Sequence, residues 1–373
     1  MRIKGHIRCV AVGIFAAIYL AGCSQNGTAP GPVAAQESGV SEAGAGNSEA
    51  EAAQESGVPE AGRAQESGAP EAGGAQESGV PEADAQVDRY QEITDRSGDD
   101  GKLVFYFLDL EVGPDAKDKS GDSTVIISPD GKVMLLDAGH PDSGGIIVQA
   151  LKDLGVEKID YLVTSHPHID HIGGVPEVIS LFPVGIAYHS YVEYTTQTYH
   201  NYVNALEEGG MEVVCLKTGD EFDFGSQVKV KVLGPGQDIV YPDGFPDNST
   251  QFLNNHSLLL KFVYGESSAL FGGDLYVSQE RDYIDQYGDE LKADVAKANH
   301  HGKDTSNLRK WIKTVSPQVA VGMGDELGSM DVYNNYVKQG AEYHHTVNDG
   351  VVKVIMDDKG GCQVIDQKDS WMN

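Results

Sequence analysis

The chain has few basic side chains, few cysteines and no long apolar segment. Its 373 residues include 27 Lys and Arg against 57 Asp and Glu, which gives a formal net charge of −30. This balance argues against a protein that binds a polyanion through charge alone. Four cysteines are too few for a disulfide-built scaffold. The longest apolar stretch, residues 10–20, is shorter than the roughly 20 residues that a membrane-spanning helix needs.

This apolar stretch has the layout of an export signal. It follows Arg2, Lys4 and Arg8 and leads into small residues before Cys23. The segment resembles a bacterial lipoprotein signal, residues 1–22, that is cleaved before Cys23. The resemblance implies that Cys23 is lipidated and anchors the chain at the extracytoplasmic face of the cell membrane. An ordinary signal peptide cut nearby, or a short anchor, is the alternative.

The composition of residues 23–100 does not allow a hydrophobic core to form. No aromatic residue occurs between Cys23 and Tyr90, and an Ala-Gln-Glu-Ser-Gly unit begins at residues 35, 53, 64 and 75. These units lack the apolar face that stacked repeats require. We therefore expect a disordered, acidic linker, with a partner-binding repeat as the alternative.

Residues 101–373 alternate β-rich runs with amphipathic stretches and carry a net charge of −20. Strand patterns occur at 103–108, 123–128, 132–136, 161–164, 227–233, 257–263, 269–271 and 351–356. Helical periodicity occurs at 144–154, 172–181, 194–208, 279–287, 305–315 and 331–338. Because sheet and helix patterns mix along the whole length without a Pro/Gly/Ser break, we expect one α/β domain.

The densest group of chemically active side chains is His166-Pro167-His168-Ile169-Asp170-His171. It lies between an apolar strand and a helical pattern, and a strand-to-helix turn can present several ligands rigidly. Imidazole nitrogens and carboxylate oxygens suit borderline divalent cations. Together with further His and Asp residues, these side chains offer more ligands than one tetrahedral metal site can take, so two metals fit better than one. The alternative is an exposed or helix-capping histidine cluster.

This His-x-His-x-Asp-His run resembles the signature of the metallo-β-lactamase superfamily. Segments 135–139, 271–274 and 299–302 resemble its other motifs in order. The resemblance implies an α/β fold of the αβ/βα four-layer sandwich type, in which Asp137 supports the ligand loop without binding metal. Residues 107–109, 121–123, 137–139, 257–260 and 300–302 also resemble ComEC-type competence proteins, and residues 299–317 resemble teichoic-acid phosphorylcholine esterases. Both groups act on phosphodiesters outside the cell.

The same resemblance implies a ligand set for two Zn²⁺ ions or another divalent pair. It assigns His166 and His168 to the first metal, Asp170, His171 and His301 to the second, and Asp274 as the bridge. The superfamily usually has one more first-metal histidine. Here the segment reads Asn254-Asn255-His256, so His256 is that ligand unless a shift by one residue leaves Asn255 or water instead. Only one of His300 and His301 is expected to bind metal, because adjacent extended residues face opposite sides.

The expected activity is that of a lipid-anchored, extracytoplasmic dizinc hydrolase of phosphodiesters, such as phosphorylcholine or related cell-wall esters. A metal-bridging hydroxide would attack, because bound metal lowers the pKa of water toward about 7. Asp170, His300 and His344 are the expected catalytic residues, with His300 or His344 protonating the leaving group.

Three other functions remain open from the sequence. An extracellular nuclease in DNA uptake or scavenging is disfavoured by the acidic charge, although basic residues flank the last metal histidine, namely Lys297, Lys303, Arg309, Lys310 and Lys313. A β-lactamase is the weaker enzymatic alternative. A binding lipoprotein that retains the fold with an incomplete metal site is the non-catalytic one.

Overall fold

The computed structural model describes residues 89–112, 121–236 and 238–369. The strands within these ranges are β1 (Leu103–Phe107), β2 (Thr124–Ile127), β3 (Val133–Leu136), β4 (Ile159–Thr164), β5 (Val184–Ser190), β6 (Val213–Leu216), β7 (Glu221–Phe224), β8 (Val228–Gly234), β9 (Leu259–Tyr264), β10 (Ser267–Phe271), β11 (Val295–Lys297), β12 (Val319–Gly322), β13 (Glu342–His345), β14 (Val352–Met356) and β15 (Cys362–Asp366). The α-helices are α1 (Tyr90–Thr94), α2 (Gly144–Asp153), α3 (Ile169–Ile172), α4 (Val175–Leu181), α5 (Gln197–Glu208), α6 (Thr250–Asn255), α7 (Val277–Tyr287), α8 (Arg309–Val315), α9 (Met330–Lys338) and α10 (Thr346–Asp349).

The first sheet has eight strands in the order β15-β14-β1-β2-β3-β4-β5-β6. β2 and β3 form an antiparallel hairpin whose turn contains Gly131 at φ +83°, a backbone conformation that glycine adopts without a steric penalty. From β3 to β6 the strands run parallel. Parallel neighbours need a crossover, and α2, α4 and α5 supply these connections.

The second sheet has seven strands in the order β13-β12-β11-β10-β9-β8-β7. The pairs from β7 to β10 are antiparallel. The pairs from β10 to β13 are parallel, and α7, α8 and α9 connect these strands in turn.

The two sheets pack face to face over an aromatic core. Phe105 and Phe107 of β1 stack on Phe271 of β10, with ring centroids 5.6 and 5.7 Å apart, and Phe262 of β9 meets Phe105 edge-on. The outer face of the first sheet packs against α2, α4 and α5, and that of the second against α7, α8 and α9. This helix–sheet–sheet–helix order confirms the predicted αβ/βα four-layer sandwich.

The chemically active residues follow the parallel strands. Asp137 follows β3, the 165–171 loop follows β4, Asp274 follows β10, and His300 and His301 follow β11. Parallel strands end at a common edge of their sheet, and loops at such an edge carry most ligand sites in α/β proteins. The sandwich therefore brings loops from both sheets together at one end.

The folded part begins before residue 101. Residues 89–100 were expected to belong to the linker, but α1 buries Ile93. Asp99 is also buried, accepts a hydrogen bond from Tyr106 at 2.6 Å and pairs with Lys353 at 2.9 Å. These contacts are formed with distant strands, so the composition of the segment alone did not predict them.

The expected signal peptide, Cys23 and most of the expected linker lie outside the described residues. The lipid anchor and the disordered linker therefore stay predictions. In the described ranges, no helix combines the length and the apolar character needed to cross a membrane.

Candidate metal centre

The loop after β4 forms a compact turn with buried histidines. His166 and His171 are fully buried, and the backbone N–H of His171 donates to the carbonyl of His168 at 3.1 Å. Gly121 packs so closely against this turn that a Cβ atom at position 121 would lie 2.1 Å from the carbonyl oxygen of Asp170. The close approach of this glycine fixes where the Asp170 backbone lies.

Asp170, His171, Asp274 and His301 converge, and each places a ligand atom within 4.8 Å of the others. Asp274 Oδ2 lies 3.3 Å from Nε2 of both His171 and His301. Asp170 Oδ2 lies 3.2 Å from His301 Nε2. The structure thus brings together the four residues that the sequence predicted for the second metal and its bridge, a place we call the second metal position.

His166 and His168 form a pair beside this cluster, which we call the first metal position. His166 Nε2 lies 2.9 Å from His168 Nδ1, and the His166 and His171 ring centroids are 4.1 Å apart. Burial lowers the pKa of both His166 and His168. Both rings are therefore neutral near pH 7, the form in which imidazole binds metal.

Asp137 occupies the supporting place that the sequence predicted for it. Its carboxylate accepts hydrogen bonds from the backbone N–H and the hydroxyl of Ser165, both at 2.7 Å. It also lies 2.9 Å from Nδ1 of His171. A proton shared at Nδ1 leaves Nε2 of His171 free toward the cluster.

Asp122 and Lys297 support the other side of the cluster. Asp122 Oδ1 lies 3.0 Å from His301 Nδ1, and Lys297 forms an ion pair with Asp122 and lies 3.5 Å from Asp274 Oδ1. Both side chains are buried. Lys297 is therefore not available to a nucleic-acid strand, unlike the exposed members of the basic group that was predicted around the last metal histidine. The sequence assigned no role to Asp122 at the metal centre, because its pairing with Lys297 and His301 depends on the fold.

The second metal position has strongly coupled charges. Burial lowers the pKa of His171, but the carboxylates of Asp274 and Asp137 outweigh it and hold the pKa well above its usual value. His301 is affected in the same way, with Asp274 contributing most after burial. Burial raises the pKa of Asp170 and Asp274, and the two imidazoles reverse this and lower it well below the usual range. A divalent ion that binds here must displace protons, so its affinity rises with pH.

His300 and His301 both have a left-handed backbone, with φ of +47° and +54°. His301 faces the cluster, in agreement with the expectation that one of the two binds metal. Nδ1 of His300 lies 2.5 Å from Thr305 Oγ1, and its Nε2 lies 3.9 Å from Asp274 Oδ2. Burial lowers the pKa of His300 to about 4, so this ring is neutral at physiological pH.

His256 and His344 were also predicted for the site, and neither is among the four converging residues. His256 caps the end of α6, where its Nδ1 lies 2.7 Å from the carbonyl oxygen of Phe252 and its ring packs on the Phe252 ring. His344 of β13 has Nδ1 3.0 Å from Asp366 of β15. Adjacent residues of an extended segment point to opposite sides, so an error of one residue reverses the predicted direction of a side chain. The sequence alone therefore could not show which way these two side chains point.

A family model for the Metallo-beta-lactamase superfamily matches residues 116–321. The chain belongs to this superfamily. The matched range contains Asp137, the 165–171 loop, Asp274 and His301, and these are the residues that the fold brings together. Membership supports a hydrolase that uses divalent metal.

One relative is named as a competence protein and another after the ComE operon. The chain is 27% identical over 199 residues to Competence protein ComA of Neisseria gonorrhoeae, which covers 53% of this chain and 25% of the relative. It is 27% identical over 191 residues to ComE operon protein 3 of Bacillus subtilis, which covers 49% of this chain and 22% of the relative. The chain thus spans about a quarter of the length of these relatives.

Solved structures with a similar fold include metallo-β-lactamases. The Rm3 metallo-beta-lactamase aligns with a TM-score of 0.35 and 15% identity, over 54% of this chain and 77% of that one. MEM-A1, a subclass B3 metallo-beta-lactamase from a soil metagenome library, aligns with a TM-score of 0.34 and 15% identity, over 54% of this chain and 81% of that one. The assignment of the chain rests on the family model and the sheet order rather than on these alignments.

The donor set fits the divalent metals of a superfamily hydrolase. The two positions offer imidazole nitrogens and carboxylate oxygens, which are ligands of zinc and of similar borderline cations. Nε2 of His171 is buried and makes no well-aligned hydrogen bond, although Asp274 Oδ2 lies 3.3 Å away. A metal ion would satisfy this nitrogen, and the contacts of Asp137 and Asp122 with the far ring nitrogens are those that orient metal-binding histidines.

Proposed function

We propose that the protein is a dinuclear metal-dependent phosphodiesterase. The observation that carries this proposal is the convergence of Asp170, His171, Asp274 and His301, from three separate loops, beside the His166–His168 pair. Divalent ions held there would lower the pKa of a coordinated water and stabilise negative charge on the oxygens of a phosphodiester.

The protein's own residues contribute orientation and hydrogen bonding. Lys297 lies near Oδ1 of Asp274, whereas Oδ2 of the same carboxylate faces His171 and His301. His300 is neutral, and when Thr305 donates to its Nδ1 the ring proton is on Nε2. The Nε2–H group of His300 can then donate a hydrogen bond to the oxygen of the leaving group. In this proposal His300 replaces His344, whose ring lies with Asp366.

The substrate class follows from the charge of the folded part. A net charge of −20 repels long polyanions, so we propose that the substrate is a small or locally bound phosphodiester, such as a phosphorylcholine ester of the cell wall. Lipidation at Cys23 would hold the enzyme at the extracytoplasmic face of the membrane, next to such substrates.

A nuclease is the second candidate, and two observations favour it. The two relatives named above are called competence proteins or belong to a ComE operon. Arg309 and Lys338 line an exposed cleft of about 230 Å³ with Asn335 and Gln339, where a phosphate of a bound strand could be held. This candidate requires activity on DNA.

The test combines metal quantification with turnover by the full chain. We expect close to two metal ions per chain and hydrolysis of bis-p-nitrophenyl phosphate, together with p-nitrophenyl phosphorylcholine or single-stranded DNA. Cleavage of the choline ester alone supports the first candidate, and cleavage of DNA supports the second.

The variant Asp274→Asn serves as the negative control, because it removes the charge shared by His171 and His301. Full turnover by this variant would overturn the proposed role of Asp274 and the dinuclear mechanism. Less than one metal ion per wild-type chain, with no turnover, would leave a non-catalytic binding protein.

A further inference from the structure

The turn that carries His301 has an unusual backbone. His300, His301 and Gly302 are consecutive residues with left-handed φ angles of +47°, +54° and +73°. This conformation suits glycine but is uncommon for other residue types, because their Cβ atom crowds the backbone. A residue other than glycine keeps such a backbone only where surrounding contacts hold it. The direction of the His301 ring therefore depends on the contacts that hold this turn.

Asn307 binds the backbone on both sides of the turn. Its Nδ2 donates to the carbonyl oxygens of Asn299 at 2.8 Å and of Lys303 at 3.1 Å. Its Oδ1 accepts hydrogen bonds from the backbone N–H of Asn299 at 3.1 Å and from the hydroxyl of Tyr336 at 3.0 Å. Asn307 is buried. One amide thus connects the residue before the turn with the residue after it.

Glu280 holds this arrangement from α7, the helix that follows Asp274. Glu280 is fully buried. Its Oε1 accepts from Nδ2 of Asn299 at 2.8 Å and from the backbone N–H of Asn307 at 2.7 Å. Its Oε2 accepts from the backbone N–H of Leu308 at 2.9 Å. Glu280 therefore fixes both the start of the turn and the asparagine that closes it.

We infer that Glu280 and Asn307 are positioning residues, whose hydrogen bonds hold the left-handed backbone of residues 300–302 and thereby aim His301 at the second metal position. This inference rests on the proposed dinuclear centre and concerns how one of its ligands is held. Nε2 of His301 lies 3.2 Å from Asp170 Oδ2 and 3.3 Å from Asp274 Oδ2. A turn that relaxes toward an ordinary backbone would lose this approach.

The expected effect is a loss of metal affinity at one position only. Loss of a group that orients a metal ligand typically costs roughly 10–100-fold in affinity, and we expect a loss of this size when the turn is released. The first metal position is carried by the loop after β4, so its affinity should not change. Because Glu280 and Asn307 act through the same turn, the double variant should lose less affinity than the product of the two single losses.

The experiment is a Zn²⁺ titration of the full chain against a competing chelator. His301→Ala identifies the binding step of the second metal position, since it removes the ligand itself. Asn307→Gly retains the left-handed backbone of this residue, at φ +63°, and removes only its side-chain hydrogen bonds. Asn307→Gly and Glu280→Ala should both weaken the step that His301→Ala removes, by roughly 10–100-fold.

Two further variants separate positioning from general destabilisation. Glu280→Gln retains an amide oxygen that can accept from Asn299 and Asn307, so it should recover most of the affinity lost in Glu280→Ala. Asp99→Ala is the matched control, because Asp99 is also a buried acid but pairs with Tyr106 and Lys353. It should lower the melting temperature and leave both zinc-binding steps unchanged.

The outcomes distinguish this inference from the proposed function. If the wild type binds two zinc ions but the Glu280 and Asn307 variants leave both steps unchanged, or weaken both equally, the inference is wrong and the dinuclear centre stands. If the wild type shows neither step, the proposed centre fails and the inference fails with it. Thermal melting verifies that each variant is folded. Asn307→Asp, which keeps the side-chain size but cannot donate to Asn299 and Lys303, decides the question if the smaller side chains do not fold, and it should weaken the same step.

Discussion

Asp137→Asn should weaken the second metal position without removing any of its ligands. The carboxylate of Asp137 lies 2.9 Å from Nδ1 of His171 and also accepts two hydrogen bonds from Ser165. An asparagine can keep one acceptor oxygen toward Ser165, but its NH₂ group then meets the Nδ1 proton of His171. The ring escapes this conflict by moving its proton to Nε2, the atom that faces Asp274 at 3.3 Å.

The size of the effect follows from this change of tautomer. Loss of the group that orients a metal-binding histidine typically costs 10–100-fold in metal affinity, or about 1.4 to 2.8 kcal/mol. We expect zinc binding at the second metal position to weaken by this amount in chelator competition. The zinc content after dialysis should fall accordingly.

Asp99→Asn is the matched control for this experiment. Asp99 is also a buried aspartate, but it pairs with Tyr106 and Lys353. Its variant should lower the free energy of unfolding and leave zinc affinity unchanged. Equal zinc affinity in Asp137→Asn and the wild type would refute the reasoning, because the His171 tautomer would then not depend on Asp137.

Further predictions concern catalysis and stability. His300→Ala should keep the metal content and lower kcat by roughly 10²- to 10⁴-fold, as steady-state assays and metal quantification can show; loss of metal instead would make His300 a ligand. Glu280 accepts hydrogen bonds from three donors of the 299–308 loop, yet burial raises its pKa from 4.5 to about 7. Folding therefore favours its protonated form, and this stabilisation is present below pH 4.5 and lost as the pH rises to about 7. Relative to Glu280→Gln, the wild type should lose about 3 kcal/mol of unfolding free energy over this range, and parallel pH profiles in denaturant titrations would contradict it. Phe105→Ala should cost about 3–5 kcal/mol, because it opens a cavity between the sheets; a loss below about 1 kcal/mol in urea unfolding would mean that the core is not packed as described.

The fold was predictable because its signals are local. Short apolar runs predicted β1–β4, β8–β10 and β14, and helical periodicity predicted α2, α4, α5, α7, α8 and α9, each within a few residues of its observed bounds. The motifs that resemble the superfamily stand at the ends of several of these strands, and the resemblance implied the sandwich. The strands β5–β7, β11–β13 and β15 were not predicted, since their pairing depends on neighbours distant in the sequence.

The candidate site was predictable where the ligands are contiguous. His166 to His171 lie within one turn, so their convergence needed no knowledge of the remaining fold. The Asn255–His256 segment was harder, because a shift of one residue decides which side chain faces the metal position. The burial of Lys297 was not predicted, since burial of a charged residue depends on its partner, and that partner, Asp122, lies in the loop before β2 of the other sheet.

The most direct test of the central claim is a crystal structure of the metal-saturated protein with anomalous data at the metal edge. The account predicts two anomalous peaks, one among Asp170, His171, Asp274 and His301 and one beside His166 and His168. Crystals grown with excess zinc or manganese that show no peak among these side chains would contradict it.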